Sequence, residues 1–428
     1  MRIFEQIESQ VRSYVRHFPT IFATAKGSKL FDEQGKEYID FFAGAGTINY
    51  GHNNPAVNEA LVDYIKKDGI LHGLDKATTA KKKFLEKLYY TILQPRHLEY
   101  KVQFCGPTGT NAVETALKIV RMVKGRSNLI SFTNGFHGLT MGAMAVTGNA
   151  FYRDEAFINR ANVTFMPYDG YFGPGIDTAF YLRKFLEDSS SGVDLPAAII
   201  LETIQAEGGV NVASFQWLKD VEQVCRDYDV LLIIDDIQVG NGRTGTFFSF
   251  EEAGINPDVV VLSKSIGGGL PLALVLMKPE LDQWKPGEHT GTFRGNNLAF
   301  VASTELLSFW DNEDFSEGIR YRESILKEEL TKLVDKYSDL NVKMRGRGLI
   351  YGLNFPQQGF SRAVSSEAFD RGLVIELAGA KNDVIKFLPP LVIEEELLRQ
   401  GVAIIDESIA ACLERKEDTI KGTLRNDN

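Results

Sequence analysis

Seven short apolar runs in the middle of this chain constrain its fold more than any other feature. They are Val102–Phe104, Leu129–Phe132, Val163–Met166, Ala197–Leu201, Val230–Ile234, Val259–Leu262 and Leu272–Met277. A strand with one wet face alternates apolar and polar residues, whereas near-continuous apolar runs mean that both faces are covered. Between these runs lie stretches with helical spacing. Asn111–Val123 carries Val113, Ala116, Leu117, Val120 and Val123, and Phe215–Tyr228 carries Trp217, Leu218, Val221, Val224 and Cys225. Buried strands alternating with such helices predict an α/β fold with a mostly parallel central sheet wrapped by helices. The last strand of the set follows a short connection and is expected to run antiparallel.

The pattern changes near residue 305. A long helical stretch, Ser316–Tyr337, is followed by strands near Asn341–Met344 and Gly348–Phe355, a helix around Ser361–Arg371 and a closing helix. This predicts a smaller α+β domain over 306–428, beside a large domain over 56–305. Residues 1–55 form an N-terminal segment expected to pack with the small domain, with a hairpin of Lys29–Phe31 and Tyr38–Phe41 around Gly35. The net charge of −10 over 428 residues is spread along the chain, which argues against nucleic acid or an anionic membrane as partner. Three cysteines without a CxxC pair, six histidines without zinc-ligand spacing, and no 18-residue apolar run point to a metal-free cytoplasmic protein.

Four segments carry chemistry. Cys105-Gly-Pro-Thr-Gly-Thr-Asn-Ala-Val-Glu-Thr-Ala-Leu-Lys118 follows a strand, turns on glycines and opens a helix, whose free N–H groups favour an anion such as a phosphate. Val230-Leu-Leu-Ile-Ile-Asp-Asp-Ile-Gln238 delivers two carboxylates at the end of a buried strand, where α/β folds place their ligands. The nearby Gly240–Gly245 matches GxGxxG in letters only, because five residues separate it from the strand and no helix start follows. Asp258-Val-Val-Val-Leu-Ser-Lys-Ser-Ile-Gly-Gly-Gly-Leu-Pro271 sets Lys264 directly after another buried strand; burial there would lower the amine's pKa and suit it to hold an aldehyde. Thr290-Gly-Thr-Phe-Arg-Gly-Asn-Asn297 is a polar loop with hydroxyl donors.

A phosphate cradle, an acid for a ring nitrogen and a lysine for an aldehyde, in this order, resemble the subgroup III, fold-type I aminotransferases over nearly the whole chain. The resemblance implies pyridoxal 5'-phosphate as cofactor. It implies that Lys264 binds its aldehyde and Asp235 its ring nitrogen, as the two catalytic residues, with Asp236 in place of a more usual glutamate. It implies Gln238 at the ring hydroxyl, Ile237 on one ring face and Phe136 on the other, His137 beside it, and Gly109 and Thr110 as phosphate donors. Thr292 matches a threonine that reaches the phosphate of a neighbouring subunit, which implies at least a homodimer with shared sites.

Finer matches resemble the diaminobutyrate–2-oxoglutarate branch of that family: Phe41-Phe-Ala-Gly-Ala-Gly-Thr-Ile-Asn-Tyr-Gly-His-Asn-Asn-Pro55, His72-Gly-Leu-Asp-Lys-Ala-Thr-Thr79 and Phe132-Thr-Asn-Gly-Phe-His-Gly138. That branch moves the amino group of L-glutamate onto L-aspartate 4-semialdehyde, leaving 2-oxoglutarate, on the route to ectoine. One departure stands out. Ornithine-type relatives have an arginine for the substrate α-carboxylate where Ile385-Lys-Phe-Leu-Pro-Pro390 has Lys386, which cannot make a bidentate fork. The expectation is that Lys386 grips the carboxylate and that Glu207 shields it when the other substrate is bound; a plain surface ion pair is the alternative. Tyr50, at the end of the Gly44–Tyr50 loop, is also expected to face substrate. Rival readings are a 4-aminobutyrate, ornithine or acetylornithine transaminase, a mutase, or a non-catalytic ligand sensor on the same fold.

Overall fold

In the computed structural model, which describes residues 2–13, 17–154, 156 and 162–426, the seven apolar runs form one sheet. Its strands are β1 (Lys101–Phe104), β2 (Leu129–Phe132), β3 (Val163–Met166), β4 (Ala198–Leu201), β5 (Leu231–Asp235), β6 (Val259–Leu262) and β7 (Leu274–Met277). Their lateral order is β1-β7-β6-β5-β4-β2-β3. The pairs β2–β3, β2–β4, β4–β5 and β5–β6 are parallel, and β7 runs antiparallel to both its neighbours. A parallel return needs a dozen or more residues and usually a helix. Residues 263–273 hold only the short turn Lys264–Gly267, so the chain comes straight back. Every residue of β2, β4, β5, β6 and β7 is buried, while the edge strands β1 and β3 are partly open, as the apolar runs predict.

The flanking helices follow their apolar stripes. Helix α1 (Gly109–Lys124) buries Val113, Ala116, Leu117 and Val120. Helix α2 (Phe215–Asp227) buries Trp217, Leu218, Val221, Val224 and Cys225, and the Ser214 hydroxyl caps it by accepting from the Trp217 N–H at 3.2 Å. Because β4, β5 and β6 are parallel neighbours, their carboxyl ends lie side by side, close to the first turn of α1. That shared edge is where the functional groups collect.

Beyond the sheet, α3 (Asp314–Lys336), α4 (Phe360–Asp370) and α5 (Glu395–Asn426) cover an antiparallel sheet in the order β8-β9-β11-β10. Its strands are β8 (Lys343–Arg347), β9 (Ile350–Asn354), β10 (Glu376–Ala378) and β11 (Val384–Phe387). The expected N-terminal hairpin is present as Lys29–Asp32 and Glu37–Asp40. A strand without an apolar run, Phe22–Lys26, pairs beside it, and Leu373–Val374 joins the other side in parallel. The strands within residues 22–40 therefore share a sheet with Leu373–Val374 of the C-terminal part of the chain.

Phe41, fully buried, points the tip of its ring at Gly401 of α5, where an added Cβ would run into it. Helix propensity alone favours alanine at an interior helical glycine by about 0.5–1 kcal/mol. Overpacking costs about 1–3 kcal/mol, so the clash wins. Gly401→Ala should lower the melting temperature, and Phe41→Leu in the same chain should recover part of the loss. A Gly401→Ala protein that melts higher than the parent would show that the ring moves aside freely.

Candidate active site

The cleft at the strand ends is lined by Gly109, Thr110, Phe136, His137, Gly138, Glu202, Glu207, Asp235, Ile237, Gln238, Val239 and Lys264. It encloses about 170 Å³ and opens to solvent at its mouth.

The two adjacent aspartates part company here. Successive side chains of an extended strand point to opposite sides. Asp235 lines the cleft, where its Oδ2 lies 2.7 Å from His137 Nδ1 and its Oδ1 accepts from the Ile237 N–H at 3.2 Å. Asp236 points inward and is fully buried, accepting from both the N–H and the hydroxyl of Ser249. Burial pushes the Asp236 carboxyl up to about 7. His137 is itself buried, and its backbone N–H donates to Thr147 Oγ1 at 3.0 Å.

Lys264 follows β6 with φ +54, a left-handed conformation that a side-chain-bearing residue seldom adopts. Burial pushes its amine below the ordinary lysine range, against the pull of Glu207. Gly109 opens α1, and a Cβ there would come within 3.0 Å of Ile237, so the missing side chain leaves room for the helix start. Gly138, at φ +126, is likewise obligatory, because a Cβ would strike Thr110. The Thr110 hydroxyl is engaged with Thr140 Oγ1 at 2.6 Å, which leaves the first-turn backbone N–H groups as the donors facing the cleft. Phe136 and Ile237 both line the cleft; the Phe136 N–H donates to Glu202 Oε1 at 2.9 Å, and its ring meets Tyr152 edge-on.

Glu207 lines the cleft and anchors a buried polar group. Its Oε1 accepts from Lys386 Nζ at 2.8 Å and from Gln238 Nε2 at 3.1 Å. Burial alone would push Glu207 up, but Lys386 and Lys264 together hold it at about 2. Gln238 also donates to the Ala45 carbonyl at 2.9 Å, within a turn of left-handed residues, Ala43–Gly46.

Two sequence expectations change, those for Lys386 and Tyr50. Lys386 does not line the cleft: its side chain is 0% exposed and stands behind Glu207 and Gln238, held also by Glu376 at 2.9 Å. The Glu207–Lys386 pair exists, but it is neither on the surface nor alone. Tyr50 is a core residue, since its hydroxyl accepts from Trp310 Nε1 at 2.9 Å and its ring stacks on Phe315, outside the cleft lining. Thr292 is exposed and lies outside the lining of this chain's own cleft. Two carboxylates escaped the sequence reading. Glu202 ends β4 as Asp235 ends β5, and burial beside Asp235 pushes it well above the carboxylate range. Glu376 interrupts the apolar run Leu373-Val-Ile-Glu-Leu-Ala378, a signal that a buried partner is required.

The pH dependence of Asp236 has a definite sign. With its folded value near 7 and an ordinary value when unfolded, the unfolded chain ionises first, so Asp236 costs stability progressively from about pH 4 to pH 7. Asp236→Asn can still pair with Ser249 and should lose less stability than the parent between pH 5 and pH 8. Thermal melts at both values test this; an unchanged pH slope would assign the effect to other buried acids.

The class-III aminotransferase family model matches residues 11–409. The chain is 69% identical over 417 residues to the diaminobutyrate–2-oxoglutarate transaminase of Wolinella succinogenes, spanning 97% of this chain and 98% of that one. It is 56% identical to the enzyme of the same name from Halalkalibacterium halodurans, with 97% and 98% of the two chains covered. Among solved structures it is similar to the ornithine aminotransferase of Toxoplasma gondii, with a TM-score of 0.84 at 25% identity over 97% of this chain and 95% of that one. A family match across nearly the whole sequence, on a fold and cleft of the matching kind, means that the chain belongs to the class-III aminotransferases.

Proposed function

We propose that this enzyme transfers the amino group of L-glutamate to L-aspartate 4-semialdehyde, giving L-2,4-diaminobutyrate and 2-oxoglutarate, with pyridoxal 5'-phosphate as cofactor. The observation that carries the reading is the meeting of Lys264 and Asp235 in one cleft, at the ends of neighbouring strands and beside the first turn of α1. The names of the relatives above support the choice of substrates, and with it a place at the entry to ectoine synthesis.

The residues fit the cofactor. The first-turn N–H groups at Gly109 and Thr110 would hold the phosphate. Phe136 and Ile237 would flank the ring, Asp235 would face its nitrogen, and Gln238 would stand near its hydroxyl. When bound, the cofactor supplies an electron sink for the carbon that loses its proton. Asp235 is held for this task by His137 and by the Ile237 N–H, so its carboxylate does not have to be reoriented during the reaction. Lys264, with its amine pushed below the lysine range, has a larger neutral fraction near neutral pH and can accept and return a proton at the substrate carbon. Glu207 puts a negative charge at the cleft wall, which disfavours a second anion there until it is compensated.

Thr292, exposed in its loop, would complete the phosphate site of a second copy, making the working unit a cytoplasmic homodimer. Among the described residues no helix is long and apolar enough to cross a membrane.

Lys264→Ala should fold and retain cofactor but lose roughly 10²–10⁴-fold or more in turnover. Asp235→Asn should also lose activity strongly. Normal turnover by the Lys264 variant would overturn the assignment. Substrate choice is tested by single-turnover spectra with glutamate, diaminobutyrate, ornithine and 4-aminobutyrate; a preference for ornithine or 4-aminobutyrate over diaminobutyrate would overturn the substrate reading.

Thr292→Ala should weaken cofactor retention roughly ten- to hundredfold, the scale of one hydrogen bond to a charged group. Mixing Thr292→Ala with Lys264→Ala subunits should restore about one working site per heterodimer if the contact crosses between copies. No recovery in heterodimers shown to form would place Thr292 outside a shared site.

A further inference from the structure

Lys386 is the central charge of a buried group that the sequence pattern only half revealed. Its Nζ lies 2.8 Å from Glu207 Oε1, 2.9 Å from Glu376 Oε1 and 3.2 Å from Gln238 Oε1, with no side-chain exposure. Glu376 and Lys386 are direct cross-strand partners of β10 and β11, so the pairing is built into the sheet register. On the other side of β11, Gly352 of β9 stands opposite Lys386 and contributes no side chain. Lys386 is thus fixed by the sheet, while Glu207, on the cleft wall, connects it to the substrate space.

The charge count is unfavourable. With both glutamates ionised, one lysine faces two carboxylates in a water-poor site. The two acids share the strain unequally. Glu207 is held at about 2, while burial pushes Glu376 up to about 7 against the pull of Lys386. Near neutral pH the group therefore stands close to gaining or losing one proton, and Glu376 is where that proton resides. The other charged or titratable groups acting on the cluster are Lys264 within the cleft, Glu202, which feels Glu207, and Tyr152, which feels both Glu207 and Lys386. Helix α4 packs on β10, but its Glu367 is taken by Arg371 and Arg415.

The proposed substrates differ at this point. Glutamate and 2-oxoglutarate carry a carboxylate on the reacting carbon. The terminal amine of diaminobutyrate and the aldehyde of the semialdehyde carry only hydrogen there. A substrate carboxylate entering the cleft at the wall formed by Glu207 would add a third negative charge around Lys386. We infer that Glu376 takes up a proton from solvent when such a substrate binds, freeing the charge of Lys386 to balance Glu207 and the incoming carboxylate. Glu376 is then a positioning residue that lets one cleft serve both halves of the reaction. The inference rests on the substrate reading above.

Linkage sets the test. If binding takes up a proton, affinity falls as pH rises above the value of Glu376. In the parent enzyme, the KM for 2-oxoglutarate should rise about tenfold between pH 7.5 and pH 8.5. Glu376→Gln imitates the protonated acid. Its KM for 2-oxoglutarate should stay within about twofold over the same range, near the low-pH value of the parent. The KM for diaminobutyrate should follow the same pH course in both proteins. Equal pH slopes for 2-oxoglutarate in the two proteins would overturn the inference. Calorimetry on the parent holoenzyme, in two buffers of different ionisation enthalpy, tests it without a variant: 2-oxoglutarate binding at pH 8 should take up close to one proton, and zero uptake would overturn it. Turnover of neither substrate would instead remove the reading on which the inference stands.

Discussion

Six ionisable side chains share one water-poor region at the strand ends, and the rest of the structure serves to hold them there. Glu202, Asp235 and Lys264 come from the ends of β4, β5 and β6, Glu207 joins them on the cleft wall, and Glu376 and Lys386 form the layer behind. An isolated charge in such a place would be neutralised or expelled. Here four of the six have a close partner: Asp235 meets His137, Glu207 meets Lys386, and Lys386 in turn meets Glu376. The mismatches are informative as well. Lys264 is driven below its ordinary range and Glu202 above its own, each shifted toward its uncharged form. That is the condition for moving protons near pH 7.

Holding this arrangement requires rigidity at its back. Arg243 is fully buried and faces oxygen acceptors instead of a carboxylate. It donates to the Leu349 carbonyl at 2.8 Å, the Pro389 carbonyl at 2.6 Å and Asn49 Oδ1 at 2.6 Å. Burial pushes its guanidinium down to about 9, still charged at neutral pH. One side chain thereby ties together the N-terminal segment, the loop after β5 and two segments of the C-terminal sheet region. Asn49 extends the tie by donating to Ser265 Oγ at 3.2 Å, next to Lys264. The left-handed backbone at Lys264, a conformation costing about 1–3 kcal/mol, persists because both flanks are fixed. Ser263 Oγ donates to the Leu272 carbonyl at 2.9 Å, and Ser303 donates to that of Ile266.

The legible part of the site was the part written in consecutive residues. Lys264 after Val259–Leu262, Asp235 after Val230–Ile234 and the glycine turn before α1 all follow from one rule, that a buried strand ends where chemistry begins. The same rule applied to β4 would have found Glu202. Residues in the layer behind were harder, because their roles depend on pairings across hundreds of positions. Lys386 read as a grip for substrate because only its place in the chain was visible; its burial behind Glu207 was not. Tyr50 read as a cleft residue because its loop touches the site, although its hydroxyl is taken by Trp310, 260 residues away in sequence.

The sequence by itself determined the elements and the identity of the reacting groups. Apolar runs with both faces covered allow little but a central sheet under helices, and a short connection cannot make a parallel return, so β7 had to run backwards. Only the tertiary structure decided which groups face the cleft and in which protonation state. Asp235 and Asp236 are chemically the same and adjacent, yet one meets His137 in the cleft and the other meets Ser249 in the core. Lys264, partly exposed in the cleft, and Lys386, fully buried, are both amines, yet burial lowers one, while Glu207 and Glu376 raise the other against it. Those differences come from charge–charge distances and desolvation, which depend on where distant segments pack and are written in no single stretch of the chain.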